Sequence, residues 1–448
     1  MTKILVLGAG FSTPFLIRHL LDHAQDLDAT VTVADLDVGA AQARVDGHGR
    51  GRAVGLDLRS EAGAAELSAA DLVVNLLPPK LQPEVARLCL DHGCHMVSAS
   101  YRFKGLDAME QEAKDKGLAL LTEMGLDPGM DLMSAQEIID GIYDRRGVVD
   151  RFWSYGGGLP EQAFDGNPLR YCITWNPRNV AMAAEAGAQS LADGQIRMQP
   201  WHRIFADAWD VDVPGLGTMD AYANRDSIAY KSIHGLDQVQ TLLRGTLRFS
   251  GYCRIWNLIV QLGLPNEQLE IPDLADRSWA EWVSMYIPAG DGDLADRAAA
   301  LLGVERSDEA FQALEWLGLF SDEAIGSAGD LPRDALVALL NKKLPLPEGV
   351  RDLVVLHHEL DATFGDRKER ILSTFIHHGA PNGTPGGHTA MATTVGFPAA
   401  LGARMILDGR LSRRGCLFPT DADVFKPVLA ALAENGLKFE ETVVPLGD

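Results

Sequence analysis

Between Lys3 and Thr122 six short apolar runs alternate with stretches whose apolar residues recur every three or four positions. The runs are Ile4 to Leu7, Val31 to Ala34, Ala53 to Leu56, Leu72 to Leu76, His95 to Ala99 and Leu118 to Leu121. Each is short and almost unbroken by polar residues, the texture of strands covered on both faces. Coverage on both faces needs helical crossovers, and the spacing around Phe15 to His23, Glu61 to Leu67, Leu81 to His92 and Leu106 to Lys116 supplies them. The expected fold class is α/β: an N-terminal doubly wound parallel sheet of the Rossmann kind, with six strands.

Past Asp131 a helix is expected to about Arg145, and then the texture changes. Aromatic, alternating segments at Arg151 to Tyr155 and Arg170 to Trp175 predict a second, more antiparallel sheet. Charged, helically spaced sequence fills 258–344, and strand texture returns at Asp352 to Glu359 and Ile371 to His377. A glycine-rich corner, His378 to His388, precedes a long apolar helix from near Thr389 to Asp408-Gly409, expected to return the chain to the first domain. The domain expectation is 1–128 for a dinucleotide-binding unit, 129–388 for a mixed α/β substrate unit with a helical insertion at 258–344, and 389–448 packing back on the first.

With 448 residues, 46% of them hydrophobic and 23% charged, the chain can build two or three cores. Its net charge of -22 repels phosphate backbones and anionic bilayers, so a small-molecule substrate is expected, with no nucleic-acid or membrane partner. Five scattered cysteines fit a reducing compartment rather than a disulfide framework. No charged leader or unbroken apolar run of roughly 18 residues argues for export or insertion, so the expected location is cytoplasmic.

The turn Gly8-Ala9-Gly10, with Phe11 and Ser12 following, joins the first run to the first helix, where small residues let backbone approach a pyrophosphate. Thr13 stands where the usual fingerprint has a third glycine. Asp35 ends the second run and can accept hydrogen bonds from an adenosine ribose while repelling a 2′-phosphate, which favours NAD. The alternatives are that Asp35 or Asp37 caps the next helix, or that Arg50 or Arg52 accommodates a phosphate. Asn75, Leu77, Ser98 and Glu123 close the same polar rim at the carboxyl ends of the runs and join the cofactor set.

The corner Thr122 to Asp131 follows directly, stiffened by Pro128, Gly125 and Gly129, and places Asp127 where protons would be handled beside a hydride transfer. Farther on, Arg225, Arg244 and Arg248 recur beside Gly, Asn and Thr, and Trp175 lies in a cluster with Asn176-Pro177-Arg178. A guanidinium binds a carboxylate bidentately and stays charged when partly buried, so several together suit a substrate rich in carboxylates. Cys89, His92, Cys94 and His95 span a helix end and a strand start, which packing explains without a metal; none is expected.

These strings resemble the glutamate-forming saccharopine dehydrogenase family. Ser100-Tyr101, Glu123 to Asp131, Tyr155 to Pro160, Asn167-Pro168-Leu169, Asn224 to Ser227, Arg244 to Arg248, Trp316 to Asp322 and Met391 to Gly396 occur in family order along nearly the whole chain. The resemblance implies substrate contacts at Ser100, Tyr101, Leu126, Asp127, Pro128, Arg225, Thr246, Leu247 and Arg248. Asp127 is the first candidate for catalytic proton handling, and Tyr101 for its relay. It also implies a homodimer and oxidation of saccharopine by NAD(P) and water to L-glutamate and 2-aminoadipate 6-semialdehyde in lysine metabolism. Fungal members carry a basic residue after the second strand and use NADP, whereas this chain has Asp35-Leu36-Asp37. The rival expectations are a carboxynorspermidine, carboxyspermidine or lysine 6-dehydrogenase, whose pockets should favour acids over arginines, and a non-catalytic NAD(P)-sensing scaffold.

Overall fold

A computed structural model describes residues 1–326 and 329–447 and divides the chain into two compact units. The first is Met1–Arg146 with Thr384–Glu440; the second is Gly147–Gly383 with the segment that starts at Glu441.

In the first unit all six predicted runs are strands, and all neighbours in the sheet pair in parallel. A seventh strand, Gly415–Leu417, extends it, giving the order Gly415–Leu417, Ala119–Leu121, His95–Ser98, Leu72–Asn75, Thr2–Leu7, Ala29–Asp35, Gly51–Gly55. The expectation of six strands therefore falls one short. A three-residue strand carries no readable periodicity, and backbone pairing with Ala119–Leu121 defines it. Helix Val38–Val45 was not visible as an apolar pattern either, since only Ala41 and Val45 are buried; Asp37 starts it by accepting from the amides of Gly39 and Ala40.

The helix Ala390–Leu407 begins after Thr389, whose side chain accepts from the amide of Ala392. It packs against Pro14–Asp22, and Gly396 permits the approach: a Cβ there would stand 2.8 Å from the Leu16 nitrogen. This helix is long and apolar enough by composition to cross a membrane, but Thr393, Thr394 and Arg404 break its apolar run, and 78% of it is buried inside the structure. It is a core helix.

The second unit holds a nine-stranded mixed sheet. Its order is Trp209–Val213, Gly217–Ala223, Thr241–Phe249, Val148–Pro160, Asp352–Phe364, Arg367–His378, Glu440–Leu446, with the hairpin Ala188–Ala192 and Gln195–Gln199 branching from Leu242. Thr241–Phe249 pairs parallel with Val148–Pro160 and antiparallel with Gly217–Ala223. Between Phe249 and Asp352 the described residues form no strand of this sheet. The helices there include Tyr252–Gln261, Trp279–Ser284, Leu294–Leu302, Glu309–Leu317 and Pro332–Lys343. Local chemistry sets their ends: Ser278 and Glu281 form a capping box, Asp293 and Asp308 cap amides, and Gly303 and Gly318 stop helices in the left-handed conformation. Trp256, Trp279, Trp282 and Phe311 fill the core these helices enclose.

His358 lies fully inside this unit on Asp352–Phe364, its ring 5.9 Å from that of Phe152. Burial first, then His357 and His234, lowers its pKa from 6.5 to about 3. Between those values the unfolded chain binds a proton that the folded chain refuses, so stability declines as pH falls from about 6.5 towards 3, at most ~1.4 kcal/mol per pH unit. Denaturant titrations at pH 7 and pH 4.5 should show His358→Leu losing about 2 kcal/mol less than the parent between the two; equal losses would mean that His358 does not govern acid sensitivity.

Candidate active site

The strand order of the first unit reverses between Thr2–Leu7 and Leu72–Asn75, and a ligand crevice forms beyond strand ends at such a point. Gly8 leaves the first of these strands with φ 104, and a Cβ on it would stand 3.2 Å from the Leu76 carbonyl oxygen. Only glycine combines that backbone with that approach. At Gly10 nothing lies within 4 Å of a built Cβ, and Phe11 beside it is 57% exposed, with Ser12 half-buried. Thr13 turns back on the loop, its amide and hydroxyl both donating to the Gly10 carbonyl at 3.3 and 2.9 Å. Helix Pro14–Asp22 therefore starts with no side chain capping its amides, a natural seat for a pyrophosphate.

Asp35 ends its strand with both oxygens engaged: Oδ2 accepts from the Ala9 amide at 2.7 Å and Oδ1 from the Asp37 amide at 3.0 Å. Asn75 is fully buried at the end of its strand; Oδ1 accepts from the Leu77 amide, but Nδ2 has no partner. The Ser98 hydroxyl accepts from the Ser100 amide. A narrow glycine turn, an uncapped helix start and an orphaned amide donor at the switch point fit a dinucleotide. Arg50 and Arg52 do not reach this edge. Arg52 pairs with Thr32 while Asp35 pairs with Gly55, so Arg52 sits three residues, about 10 Å, towards the amino ends of the strands. Arg52 is bound there to Glu66 and Arg50 to the Ala29 carbonyl.

The corner after Ala119–Leu121 is tied to the neighbouring loop by backbone bonds from Glu123 to Ser100 and from Met124 to Ser98. Glu123 is 1% exposed and takes a left-handed φ of 62. Arg102 occupies both of its oxygens, with Nη2 and Nε on Oε2 at 2.6 and 2.9 Å and the backbone amide on Oε1 at 3.2 Å, while the guanidinium covers the Phe418 ring. This anchor fixes the residue next door: the Tyr101 hydroxyl donates to Asp127 Oδ1 at 2.6 Å. Leu126 and Pro128 are buried on either side of Asp127, which is only partly buried. Gly129 donates its amide to Asp131 Oδ1 at 2.7 Å, holding the start of helix Met130–Asp144. Asp127 is thus the corner's accessible carboxylate, and it already carries a phenol donor.

In the second unit Arg244, Thr246 and Arg248 alternate along Thr241–Phe249 and share a face. Arg248 is 3% exposed inside a cage of tyrosines, its guanidinium carbon 4.9, 5.3 and 5.8 Å from the rings of Tyr171, Tyr252 and Tyr222. Nη1 donates to the Leu247 carbonyl, Nε has no partner, and among the described residues no carboxylate pairs with it. Burial pushes the hydroxyls of Tyr171 and Tyr222 up, so the cage is neutral. Trp175 extends it, its indole donating to the Tyr171 hydroxyl at 3.0 Å. Arg244 is buried over the Tyr230 ring at 4.4 Å, Leu247 is buried and Thr246 half-buried. Arg225 is exposed at φ 51; burial and Glu267 raise the pKa of nearby Glu185, and Arg178 and Arg225 oppose the shift only in part. The tyrosine cage and the Arg102 anchor escaped sequence reading, because their members lie tens of residues apart.

Since Glu123 is buried, removing its counter-ion leaves an uncompensated charge, a change worth about 3 kcal/mol when both partners are buried and less here, where Arg102 is a third exposed. Arg102→Met should therefore lower unfolding stability by about 2 kcal/mol, and Arg102→Met with Glu123→Gln should recover part of it. A single variant as stable as the parent would show the pair to be dispensable.

A parallel dinucleotide fold with this polar rim defines an NAD(P)-dependent dehydrogenase. Residues 4–121 match the saccharopine dehydrogenase NADP binding domain, and residues 125–437 the saccharopine dehydrogenase C-terminal domain. The chain belongs to the saccharopine dehydrogenase family. Saccharopine dehydrogenase [NADP(+), L-glutamate-forming] of Pyricularia oryzae is 32% identical over 454 residues, 99% of either chain. The apo saccharopine dehydrogenase (L-Glu forming) structure from Saccharomyces cerevisiae superposes with a TM-score of 0.86 at 29% identity, over 99% of this chain and 100% of that one. Homospermidine synthase from Legionella pneumophila, solved with NAD, shares the fold at a TM-score of 0.59 and 12% identity over 99% and 91% of the chains.

Proposed function

We propose that this enzyme oxidises saccharopine with NAD(P)+ and water to L-glutamate and 2-aminoadipate 6-semialdehyde, a step of lysine metabolism. The observation that carries the reading is Arg248: a guanidinium enclosed by neutral tyrosines, without an acid among the described residues, in a chain of net charge -22. A buried cation of this kind is completed by an anion from outside, and saccharopine brings three carboxylates. Arg244, Thr246, Leu247, Trp175 and Arg225 complete the proposed substrate set in this unit. In the first unit it comprises Ser100, Tyr101, Leu126, Asp127 and Pro128.

When bound, the nicotinamide accepts the hydride from the carbon that joins the lysine-derived part to nitrogen. Gly8, Gly10, Phe11, Ser12, Asp35, Asn75, Leu77 and Ser98 are proposed to hold the cofactor, with Glu123 supporting the rim through Arg102. Asp127 takes the proton that leaves the secondary ammonium, so that the nitrogen lone pair can assist C–H cleavage. Asp127 gives that proton up to solvent through Tyr101, and the resulting iminium adds water, whose proton Asp127 then accepts. The carbinolamine then collapses as a proton is returned to the departing amine of glutamate. Tyr101, already donating to Asp127, holds that carboxylate in place and relays the proton. Five free, buried cysteines accord with a reducing compartment, and we infer a cytoplasmic homodimer as the family resemblance implies.

Incubation with saccharopine at alkaline pH and either cofactor should give reduced nicotinamide and glutamate in equal amounts. Turnover of lysine or carboxylated polyamines in place of saccharopine would overturn the assignment. Asp127→Asn should reduce kcat about 100-fold or more with saccharopine binding changed little, and unchanged turnover across the pH range would leave Asp127 a positioning role at most. Arg248→Met should raise the KM for saccharopine at least about tenfold, with a thermal melt to verify folding, and an unchanged KM would return Arg248 to a structural role.

A further inference from the structure

Helix Val38–Val45 delivers one long side chain to the glycine turn. Arg44 places Nε 3.2 Å from the Ala9 carbonyl oxygen and Nη2 3.4 Å from that of Gly10, so its guanidinium rests on the outer side of the loop. It is half-buried, and among the described residues no carboxylate pairs with it; burial alone acts on its charge, lowering its pKa. Several other arginines of this unit are paired with acids. Arg52 is held by Glu66, Arg59 by Glu84, and Arg87 by Asp91 and Glu112. With 62 acidic residues against 40 basic ones, acids for pairing are plentiful, yet Arg44, like Arg248 in the other unit, has none among the described residues.

The neighbouring acids do not fill that gap. Asp35, the residue expected to exclude a 2′-phosphate, directs its oxygens to the amides of Ala9 and Asp37, and Asp37 directs one of its own to Gly39 and Ala40. Both carboxylates are thus turned towards backbone donors. A second basic side chain approaches independently. His388 packs its ring 5.4 Å from that of Phe15 and leaves a buried Nδ1 without a partner; burial first, then the charges of Arg18 and Arg44, lowers its pKa. A cation with two weak carbonyl contacts therefore lies beside the loop at which an adenosine ribose would be read, with His388 within its electrostatic reach.

We propose that Arg44 is the residue through which this chain recognises the 2′-phosphate of NADP, supplying the positive charge that Asp35-Leu36-Asp37 does not. The inference rests on the dinucleotide reading of the glycine turn. On binding, the guanidinium exchanges its long contacts to Ala9 and Gly10 for charge-assisted bonds to phosphate oxygens, which its planar fork can make in pairs. The charge comes from the last turn of the helix that follows the second strand.

The test compares NADPH with NADH, and 2′,5′-ADP with 5′-AMP, by calorimetric titration of the parent, Arg44→Gln and Arg44→Lys. The parent should bind NADPH and prefer 2′,5′-ADP to 5′-AMP. Arg44→Gln should lower the NADPH-to-NADH affinity ratio at least about tenfold, and Arg44→Lys should restore part of it. Equal losses for both cofactors would make Arg44 a brace of the loop and overturn the proposal, as would an unchanged ratio. A parent that binds NADH and rejects NADPH would overturn it in favour of Asp35. Failure of the parent to bind either cofactor would instead bring down the dinucleotide reading itself.

Discussion

The contact between Gly8 and the Leu76 carbonyl is the constraint from which the first unit is organised. Two neighbouring parallel strands end side by side, and their chains leave towards opposite faces of the sheet. Any side chain at Gly8 would push those ends apart. With the approach allowed, the turn aims the first helix at the crevice, and Asp35 fastens the loop by accepting from Ala9. Asn75 is left at the same opening with an amide hydrogen to give. Thus one missing Cβ determines where backbone donors converge.

Charge is arranged by a second rule. The chain is strongly acidic, and many of its arginines are consumed in local pairs that hold loops and helix ends. Arg102 shows what such a pair can do: by clamping Glu123 it steadies the loop that carries Tyr101, and so the bond from that hydroxyl to Asp127. Arg248 shows the opposite arrangement, a cation surrounded by rings and hydroxyls rather than by acids. The first kind of arginine is complete within the protein. The second has no acid among the described residues, and a sequence cannot distinguish them because the difference lies in what surrounds the guanidinium.

That limit explains which parts were legible. Strands buried on both faces announce themselves through continuous apolar runs, and the glycine turn, Asp35, Asn75 and the Asp127 corner fall at positions that alternation of strand and helix already marks. Arg225, Arg244 and Arg248 stood out as arginines recurring beside small and polar residues, and the family strings added Thr246 and Leu247 as contacts. Gly415–Leu417 was invisible because three residues have no period, and Val38–Val45 because two buried side chains make no stripe. Arg50 and Arg52 were misjudged for a geometric reason: proximity in sequence to Asp35 hides that parallel register carries them to the other end of the sheet. Arg44, one turn nearer in the chain, comes back to the loop through its helix.

The composition of the first unit also orders events in time. Its sheet gains an edge strand, and its first helix gains a covering partner, from residues that follow Thr384. On a ribosome the chain emerges from the amino end, so the dinucleotide fold waits, with the edge of Ala119–Leu121 unpaired and one side of Pro14–Asp22 uncovered, until the whole intervening unit has been synthesised. The second unit's sheet, by contrast, has all but its last strand before that point. The later unit is therefore placed to mature first, and the part synthesised before it is finished after it.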